Sequence, residues 1–249
     1  MPTLHRVEFM MGTAITIDIV DADAVLDTTA LADAAFAWFD EVDHRFSTYK
    51  PDSEVCRLAR GEVTRLTASA DMRHVLDACE DLREETKGYF DAYATGRLDP
   101  SGYVKGWSVR VASERLAAAG AVNHCINAGG DIRVLGVAPG GEPWRIGIRH
   151  PWQADKVAWV LGGTDLAIAT SGTYERGEHV WDGRTGAAAT GLLAATVVAA
   201  DLTTADVLAT CVLALGPDGI AWAAEHGAAA VLAVGADGEI LTGLQAAPA

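Results

Sequence analysis

The densest group of reactive side chains lies between Ala169 and Gly186, in the sequence ATSGTYERGEHVWDGRTG. Hydroxyls, charged groups and a histidine alternate there with glycines, and so many polar groups cannot be buried without partners. The apolar run from Leu166 to Ala169 is typical of a strand that leads into such a loop. Arginine, histidine, threonine and glycine backbone together suit a phosphorylated ligand, since arginine is a forked donor and glycine permits close approach. Composition supports a glycine-rich surface loop with solvated charges equally well.

Two further stretches could contact a phosphate. The NAGGD sequence at residues 127–131 follows an apolar run, and its paired glycines let backbone N–H groups meet an anion. A tight turn between two strands explains the same residues. Lys105 lies in the stretch 99–106 and is expected in the first turn of a helix, where a cation opposes the helix dipole. A bound phosphate would relieve that penalty, and an ordinary solvated lysine is the alternative.

A third stretch, residues 203–211, offers oxygen ligands. Asp206 and Thr210 are spaced i and i+4, so their oxygens lie on one face of a predicted helix. A carboxylate on so apolar a helix needs a cation or hydrogen bonds, and oxygen ligands suit Mg²⁺. Thr203 and Asp206 also fit a capping box, which would give Asp206 a purely local role.

Composition limits the class of protein. The chain has 249 residues, half of them hydrophobic, which is enough for a large core, and we expect one continuous domain over residues 1–249. The net charge of −15 and the lack of a basic run argue against nucleic acid as a partner. We find no signal peptide and no apolar run near the ~20 residues of a membrane span, so we expect a cytoplasmic protein without a membrane partner.

The four cysteines are widely spaced and form no C-x-x-C pair. This pattern favours buried reduced thiols over a disulfide framework or a zinc site.

Hydrophobic periodicity predicts helices first and strands later. Helices are expected at residues 28–42, 69–86, 104–119, 204–215 and 220–226. Strands are expected at residues 13–20, 122–128, 132–137, 144–148, 157–161, 166–170, 194–200 and 229–234, with a final strand after a turn at 237–238. This order predicts an α+β class, with antiparallel or mixed sheets and packed helices.

Six motifs occur along the chain in a fixed order. They are MGT at 11–13, FSTYKPDSEVCRL at 46–58, DPSGYVKGW at 99–107, INAGGDIRVLG at 126–136, TSGTYERGEHVWDGRTG at 170–186 and ADVLAT at 205–210. Together they resemble the FAD:protein FMN transferases of the ApbE type, over most of the chain. The glycine at position 183 departs from the family, which usually has proline there.

The resemblance implies the ApbE-like α+β fold and a flavin transferase domain. It implies Mg²⁺-dependent transfer of the FMN half of FAD to a threonine or serine hydroxyl of an acceptor protein, with release of AMP. Acceptors of the family carry a motif resembling D-x-x-[ST]-G-A-[ST]. By the family pattern, Asp206 and Thr210 would hold the metal.

The resemblance also implies roles for individual side chains. His179 would take the proton of the acceptor hydroxyl, with an orienting hydrogen bond as the alternative, and Asp182 and Arg184 would complete the catalytic group. Tyr49 or Phe46 would stack on a ring of FAD, although Phe46 equally suits the core. The residues expected to bind FAD are Met11, Tyr49, Asp99, Lys105, Asn127, Gly129, Gly130, Asp131, Ser171, Gly172 and Thr185.

Two other functions are compatible with the same residues. A Mg²⁺-dependent FAD pyrophosphatase would use the same metal site with water in place of the protein hydroxyl. A non-catalytic FAD-binding protein would use the same cavity without turnover. The presence of Asp206, Thr210 and His179 favours catalysis, because simple binding needs neither a metal nor a base.

Overall fold

The computed structural model describes residues 3–21, 25–150, 156–172, 181–182, 184 and 186–244. The helices in this part are α1 (Thr28–Phe46), α2 (Glu54–Ala59), α3 (Ala70–Glu85), α4 (Ser101–Ala118), α5 (Leu202–Leu215) and α6 (Asp218–Glu225). The strands are β1 (Thr3–Met10), β2 (Thr13–Val20), β3 (His124–Ala128), β4 (Asp131–Leu135), β5 (Trp144–Arg149), β6 (Val157–Gly163), β7 (Asp165–Gly172), β8 (Trp181–Asp182), β9 (Ala187–Ala188), β10 (Leu192–Ala199), β11 (Ala230–Gly235) and β12 (Ile240–Leu244). In the described residues, no helix is both long and apolar enough to cross a bilayer.

An eight-stranded sheet in the order β1-β2-β3-β4-β7-β10-β11-β12 forms the centre of the fold. Every neighbouring pair in it is antiparallel. β5 pairs with β6, and β8 with β9, in two smaller sheets. The predicted α+β class with antiparallel sheets and packed helices is therefore confirmed. The single domain over residues 1–249 stays a prediction.

The alternation of side chains gives the large sheet two apolar faces. Ile15, Ile17 and Ile19 of β2 lie on the face that packs against the helices, in the larger core cluster. On the opposite face, Val134 and Ile168 belong to a second cluster that the β5–β6 hairpin covers. Because both faces are covered, the central strands bury apolar side chains on both sides of the sheet.

Two elements lack a clear signal in the sequence. β1 is an edge strand in which exposed and half-buried residues alternate, and polar residues such as Arg6 and Glu8 hide its period. α2 has six residues, too few for a helical period to show, and its N-cap Ser53 accepts a hydrogen bond from the Cys56 N–H.

The structure corrects the predicted start of α4. The helix begins at Ser101, so Lys105 lies in its second turn and not in the first. The dipole penalty predicted for a first-turn lysine therefore does not apply, since that effect falls off within one turn. The start of the helix is held by Asp99, whose Oδ1 accepts the Ser101 N–H at 3.0 Å.

The predicted capping box of Thr203 and Asp206 is wrong. The N-cap of α5 is Asp201, whose Oδ1 accepts the Thr204 N–H at 3.1 Å and whose Oδ2 accepts the Thr204 hydroxyl at 2.7 Å. A preceding aspartate is a strong cap, so Asp206 is not needed at the helix end. Asp206 is instead buried on the inner face of α5.

The cysteines are free in the structure, and Cys79, Cys125 and Cys211 are buried. Burial raises the pKa of the Cys79 and Cys125 thiols to about 12. The prediction of buried reduced thiols is confirmed for these residues, while Cys56 is half-buried.

Helices α4 and α5 are in close contact at Gly106. A Cβ atom at this position would lie 2.5 Å from the Leu202 carbonyl oxygen and 2.7 Å from the Asp206 Cβ. Neither neighbouring atom can rotate away, so the contact requires glycine.

Replacing Gly106 with alanine should destabilise the protein by about 1–3 kcal/mol, because overpacking against backbone outweighs alanine's helix propensity of about 1 kcal/mol. Chemical denaturation measures this change. Gly102→Ala is the matched control, since a Cβ there meets only side-chain atoms, the Phe90 ring at 3.3 Å and the Thr210 methyl at 3.9 Å. Equal stability of the two variants would contradict the proposed backbone constraint.

A buried histidine joins α4 to β3. Nδ1 of His124 donates to the Ala121 carbonyl at 2.7 Å, so its Nε2 accepts the Ser113 hydroxyl, also at 2.7 Å. Burial lowers the pKa of His124, and nearby Arg133 lowers it further, against the opposing effect of the Ala121 hydrogen bond. Unfolding therefore takes up a proton as the pH falls below about 6.5, the ordinary pKa of histidine.

Between about pH 7 and pH 5, the melting temperature of the wild-type protein should fall more steeply than that of His124→Asn. Asparagine keeps a donor for the Ala121 carbonyl and does not titrate. Thermal denaturation across this pH range compares the two slopes, and parallel slopes would show that His124 does not cause the loss at acid pH.

Candidate functional site

A cavity of about 660 Å³ opens at one end of the large sheet. It is lined by residues 11–13 between β1 and β2, residues 46–49 after α1, and residues 89–92 with 94–95 before α4. The start of α4, the end of β7 and two residues of α5 complete its wall. Its volume lies in the range of small-molecule sites, roughly 300–1,000 Å³.

Two hairpin turns meet at this cavity. Met11 and Gly12 have φ values of 53° and 73°, and Gly129 and Gly130 have 64° and 102°, the left-handed conformations that two-residue hairpin turns require. A Cβ on Gly129 would lie 2.3 Å from the Thr13 hydroxyl oxygen, so only glycine fits between the turns. The NAGGD stretch is thus the tight turn that the sequence left open, and one of its glycines, Gly129, lines the cavity.

Three buried or half-buried charges form a cluster beside the cavity, named here the charge cluster: Lys105, Asp131 and Asp206. The Lys105 Nζ lies 2.5 Å from Asp131 Oδ2 and 3.7 Å from Asp206 Oδ1. The Gly106 N–H donates to Asp206 Oδ2 at 2.8 Å, and the Thr170 N–H donates to Asp131 Oδ1 at 3.0 Å. Lys105 and Asp206 line the cavity, whereas Asp131 lies behind them.

The environment of Asp206 disfavours its charged form. Burial raises the pKa of this carboxyl to about 7; Asp131 raises it further, while Lys105 and the Gly106 N–H act in the opposite direction. The net rise in pKa shows that one shared ammonium does not fully compensate the carboxylate charge.

Hydroxyl oxygens lie next to this carboxylate. Thr210 follows Asp206 by one turn of α5, and its Oγ1 lies 3.3 Å from the Ser171 Oγ on β7. Both hydroxyls line the same cavity as Asp206. The structure therefore brings together residues that the sequence places in two separate motifs.

The donor set fits a hard divalent cation. The described part of the chain contains no group of three or more histidine, cysteine, aspartate or glutamate side chains placed to hold a metal. Mg²⁺ does not need such a cage, since it usually takes one or two carboxylates and leaves its other positions to water and substrate phosphates. A buried carboxylate with uncompensated charge and two neighbouring hydroxyls meets that requirement.

The predicted FAD-binding residues that the structure describes divide into two groups. Met11, Tyr49, Asp99, Lys105, Gly129 and Ser171 line the cavity, whereas Asn127, Gly130, Asp131 and Gly172 do not.

The structure gives two of these residues a definite environment. Asn127 Oδ1 accepts the Gly130 N–H at 2.8 Å, so its side chain closes the β3–β4 turn. Tyr49 is 95% exposed, and its stacking on a ring of FAD stays a prediction. Phe46 is buried against the Trp107 ring, as its alternative core role requires, although it also lines the cavity.

The predicted catalytic group is described only in part. His179 and Thr185 lie outside the described residues, and Asp182 is described as part of β8, paired with Ala187. Arg184 lies with its guanidinium carbon 3.7 Å from the centre of the Tyr89 ring, a cation–π contact to a residue that lines the cavity. Arg184 therefore packs on a residue of the cavity wall without itself belonging to the lining.

Sequence reasoning missed two of the four aspartates that line the cavity. Asp43 and Asp91 line the cavity together with Asp99 and Asp206, and no motif marks the first two. Asp43 pairs with Lys50 at 2.6 Å and Asp91 with Arg83 at 3.2 Å, which ties both carboxylates to the surface. Among the described residues, Lys105 is the one lysine or arginine in the lining.

The chain is similar to known proteins of one family. The model of the ApbE family matches residues 11–96 and 93–232. A Vibrio cholerae FAD:protein FMN transferase is 25% identical over 234 residues, which cover 71% of this chain and 70% of that protein. A Rhodobacter capsulatus protein of the same name is 34% identical over 155 residues, which cover 58% of this chain but only 29% of that longer protein.

The fold is shared with a solved structure. The flavin transferase ApbE from Vibrio cholerae matches with a TM-score of 0.86 at 24% identity, covering 97% of this chain and 96% of that one. The predicted ApbE-like fold is therefore confirmed.

In metal-free protein at about pH 8, Asp206→Asn should raise the free energy of unfolding by on the order of 1–4 kcal/mol. The reason is that the substitution removes a carboxylate charge that the folded state disfavours. The gain should shrink as the pH falls towards 4, since the folded wild-type carboxyl is then already protonated. Thermal denaturation in EDTA measures the difference in stability between the variant and the wild type at pH 8 and at pH 4. A variant less stable than the wild type at pH 8 would show that the Asp206 charge stabilises the fold.

Proposed function

Because the chain belongs to the ApbE family, we propose that it transfers the FMN half of FAD to a threonine or serine hydroxyl of an acceptor protein. In this reaction the hydroxyl oxygen forms a bond to the FMN phosphorus, the pyrophosphate bond to that phosphorus breaks, and AMP leaves with the bridging oxygen. The names of the two curated relatives support this reaction.

One observation carries the proposal: the cavity brings a buried carboxylate, two hydroxyls and an ammonium to one place. Asp206, Thr210, Ser171 and Lys105 come from three elements and three separate motifs, yet all four line the same cavity. Phosphoryl transfer depends on positioning and on neutralising charge at the phosphate oxygens, and this set of groups suits both.

A metal ion completes the charge balance in the proposal. FAD brings a doubly negative pyrophosphate to a lining in which Lys105 is the lone described lysine or arginine. Of the four carboxylates in the lining, Asp43 and Asp91 have cationic partners at the surface, which leaves Asp99 and Asp206. Asp206 and Thr210 are the residues proposed to hold Mg²⁺. When bound, the ion would supply positive charge to the pyrophosphate oxygens.

The chain's own side chains take the remaining roles. The Lys105 ammonium pairs with Asp131 at 2.5 Å and lines the cavity, where its positive charge suits a phosphate oxygen. Arg184, which packs over the ring of the lining residue Tyr89, brings a second cation close to the cavity. We assign to His179 the acceptance of the hydroxyl proton, because histidine titrates near neutral pH and belongs to the motif next to Arg184.

Incubating the full chain with FAD, Mg²⁺ and a domain that carries the D-x-x-[ST]-G-A-[ST] motif should add one FMN to that domain. Intact-mass measurement detects the adduct. Addition of EDTA should abolish it, as should Asp206→Ala, since both remove the proposed metal site.

The matched control is Asp165→Ala, which removes a carboxylate that is 63% exposed and lies outside the cavity lining. This variant should transfer FMN at the wild-type rate. AMP and free FMN without an adduct would identify an FAD pyrophosphatase instead. Tight FAD binding without turnover would leave a flavin-binding protein.

A further inference from the structure

Asp131 is buried behind the cavity rather than in its wall. Its side chain is 2% exposed. Its Oδ1 accepts the Thr170 N–H at 3.0 Å and so joins β4 to β7. The resemblance assigns Asp131 to FAD binding, but a side chain in this position has no exposed surface to offer a ligand of the cavity.

The other oxygen of Asp131 holds Lys105. The ammonium lies 2.5 Å from Asp131 Oδ2 but 3.7 Å from Asp206 Oδ1, so the shorter ion pair is the one with the residue behind the cavity. Asp206 keeps a direct hydrogen bond from the Gly106 N–H on its other oxygen. Asp206 is therefore the more distant of the two carboxylate partners of Lys105 in the cluster.

The charges of the cluster explain why this arrangement matters. When both carboxyls are ionised, the charge cluster carries one net negative charge in a poorly solvated part of the structure. If Asp131 were neutral, Asp206 would be the ammonium's sole carboxylate partner within the cluster. A close ion pair in a low-dielectric site is strong, and it would compete with any other cation for Asp206.

We propose that Asp131 is a positioning residue that holds the Lys105 ammonium away from Asp206 and thereby keeps the Asp206 carboxylate available to a divalent cation. This inference rests on the proposed function, since it concerns the proposed metal site. It assigns Asp131 an action through Lys105 instead of a contact with FAD.

The test is Mg²⁺ binding by isothermal titration calorimetry on the full chain without FAD. Asp131→Asn keeps an oxygen for the Thr170 N–H and removes only the charge. Its dissociation constant for Mg²⁺ should rise at least about tenfold relative to the wild type, because Lys105 then pairs with Asp206.

The double variant Asp131→Asn with Lys105→Met separates positioning from a general structural role. Removing the ammonium removes the competitor, so Mg²⁺ affinity should return to within about threefold of the Lys105→Met single variant. A residue that mattered only for folding, or one that contacted the metal directly, would not be rescued in this way.

The double variant also keeps the test informative if Asp131→Asn does not fold. An ammonium without its buried partner destabilises a protein, and the double variant lacks that ammonium. Circular dichroism and thermal denaturation establish that each variant is folded before titration. Asp165→Asn, at a surface carboxylate, serves as the matched control and should bind Mg²⁺ as the wild type does.

The outcomes separate this inference from the proposed function. Equal Mg²⁺ affinity of Asp131→Asn and the wild type would overturn the positioning role, while FMN transfer by the wild type would leave the proposed function intact. A double variant that binds no better than Asp131→Asn would also overturn it. A wild type that neither binds Mg²⁺ nor transfers FMN would overturn both.

Discussion

The contact between α4 and α5 at Gly106 is the constraint on which the site depends. The absence of a side chain lets the Leu202 carbonyl and the Asp206 side chain reach the α4 backbone. The Gly106 N–H then donates to the Asp206 carboxylate, and the next residue back, Lys105, supplies the neighbouring charge. A carboxylate can be buried at this depth only with such partners, so one close approach of two helices creates both the packing and the charge cluster.

The antiparallel sheet brings the rest of the cavity wall to the same place. Hairpin turns after β1 and β3 lie side by side because β2 pairs with β3, and the end of β7 follows across β4. Segments far apart in the chain therefore meet at one end of the sheet, where the cavity lies. A rigid scaffold with its functional groups on turns and strand ends is a common arrangement for binding sites.

Two carboxylates of the site are buried close to each other. Asp206 is buried with a raised pKa, and Asp131 places a second carboxylate close by. An apolar core of the same volume would be more stable, yet it could not bind a cation or a phosphate. Sequence rules for a well-packed helix are broken at Asp206, and such exceptions are expected where a chain performs chemistry.

The sequence by itself determined the α+β class, most helices and strands, and the family, because hydrophobic period and motif order are local properties of the chain. It did not reveal β1 or α2, whose periods are masked or too short, nor that Asp201, not Asp206, belongs to the start of α5. Only the tertiary structure decided that Asp131 faces Lys105 instead of the cavity, and that Asp43 and Asp91 line it. These facts depend on distances between residues far apart in the chain, and no local pattern encodes them.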